Sequence, residues 1–219
     1  MNQQSNRRGF IKTTLSAAAM GGLGMMPSLS FGNEHPADNS YYVIGPMEGY
    51  SPQVGTLVSM LNYNRMTIIQ IVKGLTIPQL DFLLDGQSNS IGALLMHLAA
   101  TEKYYQVNTF EGRQQFNADE KKIWNAASEL GDAGRKQIKG KELSYYLDLL
   151  ETGRKKTLEA FKQRDDKWLA TIDPLWSKES KLNTYWKWFH VCEHEANHRG
   201  QISFLKSRLP GAKKNGGEG

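Results

Sequence analysis

Cysteine is nearly missing from this chain: its 219 residues include one, Cys192. No disulfide can form within the chain, so cysteine usage says nothing about compartment. Cys192 itself reads as a small helix residue. Basic excess is also missing once position is considered. The totals are 27 Lys+Arg and 22 Asp+Glu, but Arg7, Arg8 and Lys12 stand in an opening stretch without acids, leaving 24 basic against 22 acidic residues. That balance, with no basic stripe, excludes a nucleic-acid binder. No apolar run is long enough for a stable membrane span. Sustained strand alternation and internal repeats are absent too, which points away from sheet and solenoid folds. After His198 the sequence has a single acidic residue, Glu218.

The start has the order of an address. Arg7-Arg8 are followed by Phe10 and Lys12, then a short Ala-, Gly-, Met- and Leu-rich stretch, then a small-residue region ending near Gly32. This arrangement resembles a twin-arginine export signal over 1–32 and implies a periplasmic or secreted protein. Residues 33–49, rich in Gly, Pro, Asn and Ser, read as a linker in which His35 is solvated. A bundle is expected over 50–210, and a flexible Gly- and Lys-rich tail over 211–219.

Four long segments carry helical periodicity. The first runs from Ser51 to about Lys73, with Val54, Leu57, Val58, Leu61, Met66, Ile69 and Val72 at spacings near three and four. The second, Ile91 to Phe110, follows a Ser- and Asn-rich start suited to capping. Its stripe is Ile91, Leu94, Leu95, Leu98, Glu102 and Tyr105. The third runs from Lys141 to about Gln163, and the fourth from about Asn183 to Leu209, where Pro210-Gly211 stops it. Short accessory helices are expected at Ile77–Leu83 and from Asn117 to Leu130, the latter closed by Gly131. The pattern predicts an all-α four-helix bundle, with the long second connection available for a crossover.

The last helix contains His190-Val-Cys-Glu-His194-Glu195-Ala-Asn-His198-Arg-Gly-Gln201. On a helical wheel Val191, Ile202, Leu205 and Leu209 fall within about 60° of one another and His198 lies inside that arc. His194 lies about 20° beyond its edge and His190 about 60° beyond. Imidazoles at i and i+4 can share one ion, whereas His190 and His198 are about 12 Å apart along the axis and cannot both join. The one histidine on another long helix is His97, at the flank of its stripe. Bringing the two helices together would assemble His97, His194 and His198, with open positions for water or substrate. On the residues alone, the alternative is a set of hydrogen-bonded core histidines.

His194-Glu195-Ala-Asn-His198 also matches H-E-x-x-H. A metalloprotease needs a further ligand, in most such families downstream, and only Glu218 in the tail is available. The longer pattern fails as well, with Gln201 where Gly is required and Phe204 where His is required. The sheet that accompanies that motif is not indicated either.

Asn89-Ser-Ile-Gly-Ala-Leu-Leu-Met-His97 together with His194-Glu-Ala-Asn-His198-Arg-Gly-Gln-Ile resembles the DinB-like superfamily of metalloenzymes, over about Ser51 to Leu209. The resemblance implies a four-helix bundle with a crossover connection and a divalent metal held by His97, His194 and His198. Zinc is the first expectation, with Ni, Mn or Fe as alternatives. It also implies a small-molecule substrate, in some members a small thiol, and pairing into a homodimer through helix faces. An open three-histidine site suits hydrolysis or thiol transfer. Glu102 and Glu195 are the candidate catalytic bases; otherwise Glu102 pairs with a basic residue and Glu195 with Arg199 at i+4. Arg199 could instead hold an anionic substrate. The alternative function is a non-catalytic metal- or small-ligand-binding protein of the cell envelope. An exported protein would leave the cytosolic pool of small thiols, which bears against thiol transfer.

Overall fold

The computed structural model describes residues 41–176 and 181–212. The export signal expected over 1–32 lies outside the described residues, as do most of the linker and the tail from 213. Eight helices occur among the described residues: α1 (Pro52–Val72), α2 (Ile77–Leu80), α3 (Ile91–Phe110), α4 (Ala118–Glu129), α5 (Gly131–Gln137), α6 (Leu143–Phe161), α7 (Asp166–Ala170) and α8 (Thr184–Lys206). No strand is present among them, only an isolated bridge between Ile172 and Asn183. None of these helices is long and apolar enough to cross a membrane.

Local chemistry sets the starts. The Ser90 side chain accepts from the Ala93 amide, Asn117 from Asp119 and Glu120, and Asn183 from Trp186. Each satisfies amides that the first helical turn leaves without partners. One expectation needs correction. Gly131 does not close the Asn117 helix alone: Leu130 takes φ 54°, and Gly131, at φ 55°, opens α5. Two glycines in Gly131–Gln137 hid that helix from periodicity. The five-residue α7 was also missed, although Asp165 caps it through the Trp168 amide.

The four long helices close into a ring, with α1 on α8 and α6, and α3 on α6 and α8. Side-chain pairs fix their directions. Asn64 reaches the Cys192 carbonyl and Lys206 the Ile71 carbonyl, so α1 and α8 run parallel. Gly92 meets Tyr146 and Gln106 meets Thr157, so α3 and α6 are parallel too. Parallel neighbours require a connection that returns along the bundle, and residues 111–142, carrying α4 and α5, provide it. This is the crossover. Gly92 serves the close approach: a Cβ there would lie 2.8 Å from the Tyr146 hydroxyl.

The core has two apolar halves. One contains Ile68, Leu95, Leu98, Leu150 and Ile202; the other contains Leu57, Leu61, Phe161, Trp188 and Val191. Between them lies a buried polar layer of Arg65, Glu102, Arg154, Thr157, Glu195 and His198. Every long helix contributes one charge to it. In each, the charge replaces an apolar residue within the inward stripe, as in Leu61-Arg65-Ile68-Val72 and Leu150-Arg154-Thr157-Phe161.

Candidate metal centre

The three histidines sit at the edge of this polar layer, in the groove between antiparallel α3 and α8. The His194 Nε2 lies 3.1 Å from the His97 Nε2 and 3.2 Å from the His198 Nε2. One ligand atom from each residue falls within 4.8 Å of the other two. His198 is buried, while His97 and His194 are half-buried and face the groove.

Two of the three rings have a fixed tautomer. The His97 Nδ1 donates to the Ala127 carbonyl at 2.7 Å. Ala127 stands in the last turn of α4, where carbonyls lack helical partners. The crossover thus supplies the group that orients a ring on α3. The His198 Nδ1 donates to the Gln201 Oε1 at 3.0 Å. Both rings therefore turn an Nε2 lone pair toward His194. An N–H on the His194 Nε2 can point at only one of them, leaving two lone pairs in contact. A cation shared by all three removes that repulsion. Bonds of about 2.0–2.1 Å at tetrahedral angles put neighbouring ligand nitrogens roughly 3.3–3.4 Å apart, close to the spacing found. The buried His194 Nδ1 has no hydrogen-bond partner among the described residues. The donor set fits a divalent ion.

Electrostatics favour the same outcome. Burial lowers the pKa of His97 and of His198. His194 is lowered to about 3, first by burial and then by the neighbouring His198, His97 and His190. Neutral imidazoles are the form that binds metal, so protons compete little near neutral pH.

Glu102 and Glu195, the candidate bases, both lie buried in ion pairs. Glu102 accepts from the Arg154 Nε (2.8 Å), Thr157 Oγ1 (2.7 Å) and Arg65 Nη2 (2.8 Å). Burial raises its pKa, but the charges of Arg154 and Arg65 outweigh that and bring it to about 2. Glu195 accepts from the Arg65 Nη2 at 2.5 Å and the Arg154 Nη2 at 2.9 Å. The lowered pKa makes Glu102 a poor proton acceptor at neutral pH. The geometry places both carboxylates in ion pairs with the two arginines. The expected Glu195–Arg199 pair is also replaced: Arg199 donates to the Thr67 hydroxyl at 2.9 Å and lies over the Tyr63 ring.

His190 stands apart from the three-nitrogen set. Its Nδ1 lies 3.2 Å from the Tyr105 hydroxyl, and its ring stacks on Trp186. Arg65, Arg154, Gln201 and the Ala127 carbonyl were not assigned to the site from sequence. The two arginines had a legible signal, a charge inside an apolar stripe. The carbonyl had none, since a backbone group from another element leaves no mark in composition.

Three converging histidines on a helical bundle with a crossover define the class of protein. Residues 56–211 match the family model for mycothiol-S-transferase, and the chain belongs to that family, a DinB-like one. No curated protein shows significant similarity to the chain.

Proposed function

We propose that the chain is a divalent-metal-dependent S-transferase, in which His97, His194 and His198 hold the ion and a small thiol is one substrate. The observation that carries this reading is the convergence of three neutral imidazole nitrogens, two of them fixed with lone pairs inward, in a chain of the mycothiol-S-transferase family. Zinc is the ion expected first, and an all-imidazole set also suits Ni, Mn or Fe. When bound, the ion supplies Lewis acidity that lowers the pKa of a thiol placed on it. The protein's own part is orientation. The Ala127 carbonyl and Gln201 hold two rings, and the Arg65–Glu102–Arg154–Glu195 layer fixes the helices beneath them. His190, one turn from His194 and bonded to Tyr105, is the proton acceptor available once Glu102 and Glu195 are committed to ion pairs.

The test has two parts. Metal analysis of the purified chain should give about one divalent ion per chain, lost in His97→Ala and His198→Ala and kept in His190→Ala. With mycothiol and an aryl halide, the thiol sulfur should form a bond to the aryl carbon as halide and a proton leave. His190→Gln should slow this without losing metal. A chain that stays metal-free after reloading with Zn²⁺, Ni²⁺ and Mn²⁺ would overturn the proposal.

A second reading, a metal-dependent hydrolase, is favoured by one observation: the Arg7-Arg8 start. We place the protein in the periplasm or outside the cell through a twin-arginine signal, away from cytosolic thiols. Arg7→Lys with Arg8→Lys should retain it in the cytosol on fractionation. Retained export and no thiol transfer, with ester or amide cleavage by the loaded chain, would establish the hydrolase. Light scattering on the same sample reads whether it is the homodimer that the family resemblance implies.

A further inference from the structure

The connection between α7 and α8 is pinned more firmly than a simple link requires. The Asp173 amide donates to the Leu182 carbonyl at 3.0 Å and the Thr184 amide to the Thr171 carbonyl at 2.9 Å, on either side of the Ile172–Asn183 bridge. The two ends of the connection are thus clipped together. Asp173 then ties it to the bundle. Its Oδ2 accepts from the Lys187 Nζ at 2.5 Å and the Gln114 Nε2 at 3.4 Å, and its Oδ1 from the Leu175 amide at 2.8 Å. Lys187, on α8, is 2% exposed and also donates to the Asn108 Oδ1 on α3. A buried ammonium is costly unless paired and hydrogen-bonded, and even a well-paired one adds little net stability. Its use lies in what it holds in place.

Lys187 holds Trp176. Its Nζ lies 5.1 Å from the centre of that ring, a cation over an aromatic face. Trp176 in turn stacks on Tyr105, with 6.0 Å between ring centres and 14° between planes, and meets Trp186 edge-on at 6.2 Å. Those two rings are the supports of His190. The Tyr105 hydroxyl lies 3.2 Å from the His190 Nδ1, and Trp186 stacks on the imidazole at 5.1 Å and 20°. One residue of the connection therefore backs both groups that hold an imidazole lying 5.5 Å from the His194 ring. Trp186 is 40% exposed, so the core does not surround it, and Trp176 supplies a wall that the core leaves out.

The hydrogen bond between Tyr105 and His190 bears on proton transfer. Burial raises the Tyr105 pKa, so the side chain is a neutral phenol near neutral pH. With the His190 Nδ1 hydrogen donated to the phenolic oxygen, the Nε2 lone pair is left to accept a proton. A ring free to turn would lose that arrangement, and misplacement of a reacting group is costly even when every reactant is bound.

We propose that Trp176, seated on the Lys187–Asp173 ion pair, is a positioning residue: through Tyr105 and Trp186 it holds the His190 imidazole by its Nδ1 edge and leaves Nε2 to take the proton that a thiol gives up. The proton-accepting part rests on the metal-transferase reading; the support of the ring rests on the geometry. The test uses the isotope-labelled, Zn²⁺-treated full chain, with metal content measured on each sample. Imidazole NMR reads the His190 ring, its signals identified by their loss in His190→Gln. Stacking on Trp186 should place its carbon-bound protons upfield of those of an unstacked histidine. Trp176→Leu should move them back toward the unstacked position, whereas Trp176→Phe, which keeps a ring to stack, should leave them. With mycothiol and an aryl halide, kcat should fall at least about tenfold in Trp176→Leu with KM within about twofold, and recover in Trp176→Phe. Metal content should be the same in all three. Lys187→Met should reproduce the displacement seen in Trp176→Leu. Should it fail to fold, the two Trp176 variants decide, since that side chain is half-buried on a connection. Unmoved His190 signals in Trp176→Leu, an equal loss in Trp176→Phe, or a rise in KM alone would overturn the proposal. Displaced signals in a chain that shows no thiol transfer would remove the transferase reading and keep the positioning role; thiol transfer with unmoved signals would do the reverse.

Discussion

Replacing Arg154 by Met gives the most direct test of the polar layer. Arg154 is 6% exposed and bridges two carboxylates, Glu102 and Glu195, from α3 and α8. Methionine keeps much of the length but removes the charge, leaving two buried anions to share Arg65. Removing one partner of a buried pair costs about 3–5 kcal/mol. The acid side gives a similar figure. Glu102 falls from 4.5 to about 2 in the folded chain, which corresponds to roughly 3 kcal/mol. The sign follows from that direction. A depressed carboxylate contributes fully above its unfolded value, so wild-type stability should be flat above about pH 5 and fall as pH drops from 4.5 toward 2. In Arg154→Met the Glu102 pKa rises, and protonation relieves the unpaired charge. The variant should therefore be weaker than wild type by about 3–5 kcal/mol at pH 7, with the gap narrowing at pH 4. Urea unfolding followed by far-ultraviolet circular dichroism reads both values. A loss under about 1 kcal/mol at pH 7, or a gap that widens on acidification, would refute the reasoning.

Gly200→Ala should stabilise the chain by about 0.5–1 kcal/mol, read as a higher midpoint in thermal unfolding, because the added methyl meets open space. Gly92→Ala should cost about 1–3 kcal/mol through overlap with Tyr146. Tyr146→Phe in that background should recover part of the loss, since it removes the nearest atom, a buried hydroxyl that has no partner among the described residues. Gln201→Leu should keep the fold but weaken metal affinity by about 10–100-fold in a chelator competition, because His198 loses the acceptor that orients it.

The long helices were readable because each buries one stripe, and a stripe leaves a period. Ile91–Phe110 falls where the pattern placed it, and the other three agree within a few residues. His194 and His198 were legible from a wheel alone. Bringing His97 to them required the helix pairing, which spacing does not encode. Glu102 and Glu195 show the opposite case. Glu102 was visible inside its stripe and Glu195 on the flank of its own, but an acid near a ligand set reads equally as a base or as half of an ion pair. The ion-pair partners, Arg65 and Arg154, lie on two other helices. The parallel α3–α6 pair was accessible only as a connection too long for a simple turn.

The His97 and His194 nitrogens that face each other are 97 residues apart in the chain. Until α8 is synthesised and folded against α3, the first helices carry one candidate ligand and no site. The three ligands can therefore converge only once α8 has docked on α3. At a synthesis rate of roughly 5–20 residues per second, the second half of the site follows the first by seconds. An ion held by all three histidines would report that α8 has docked on α3, a mark of a finished bundle.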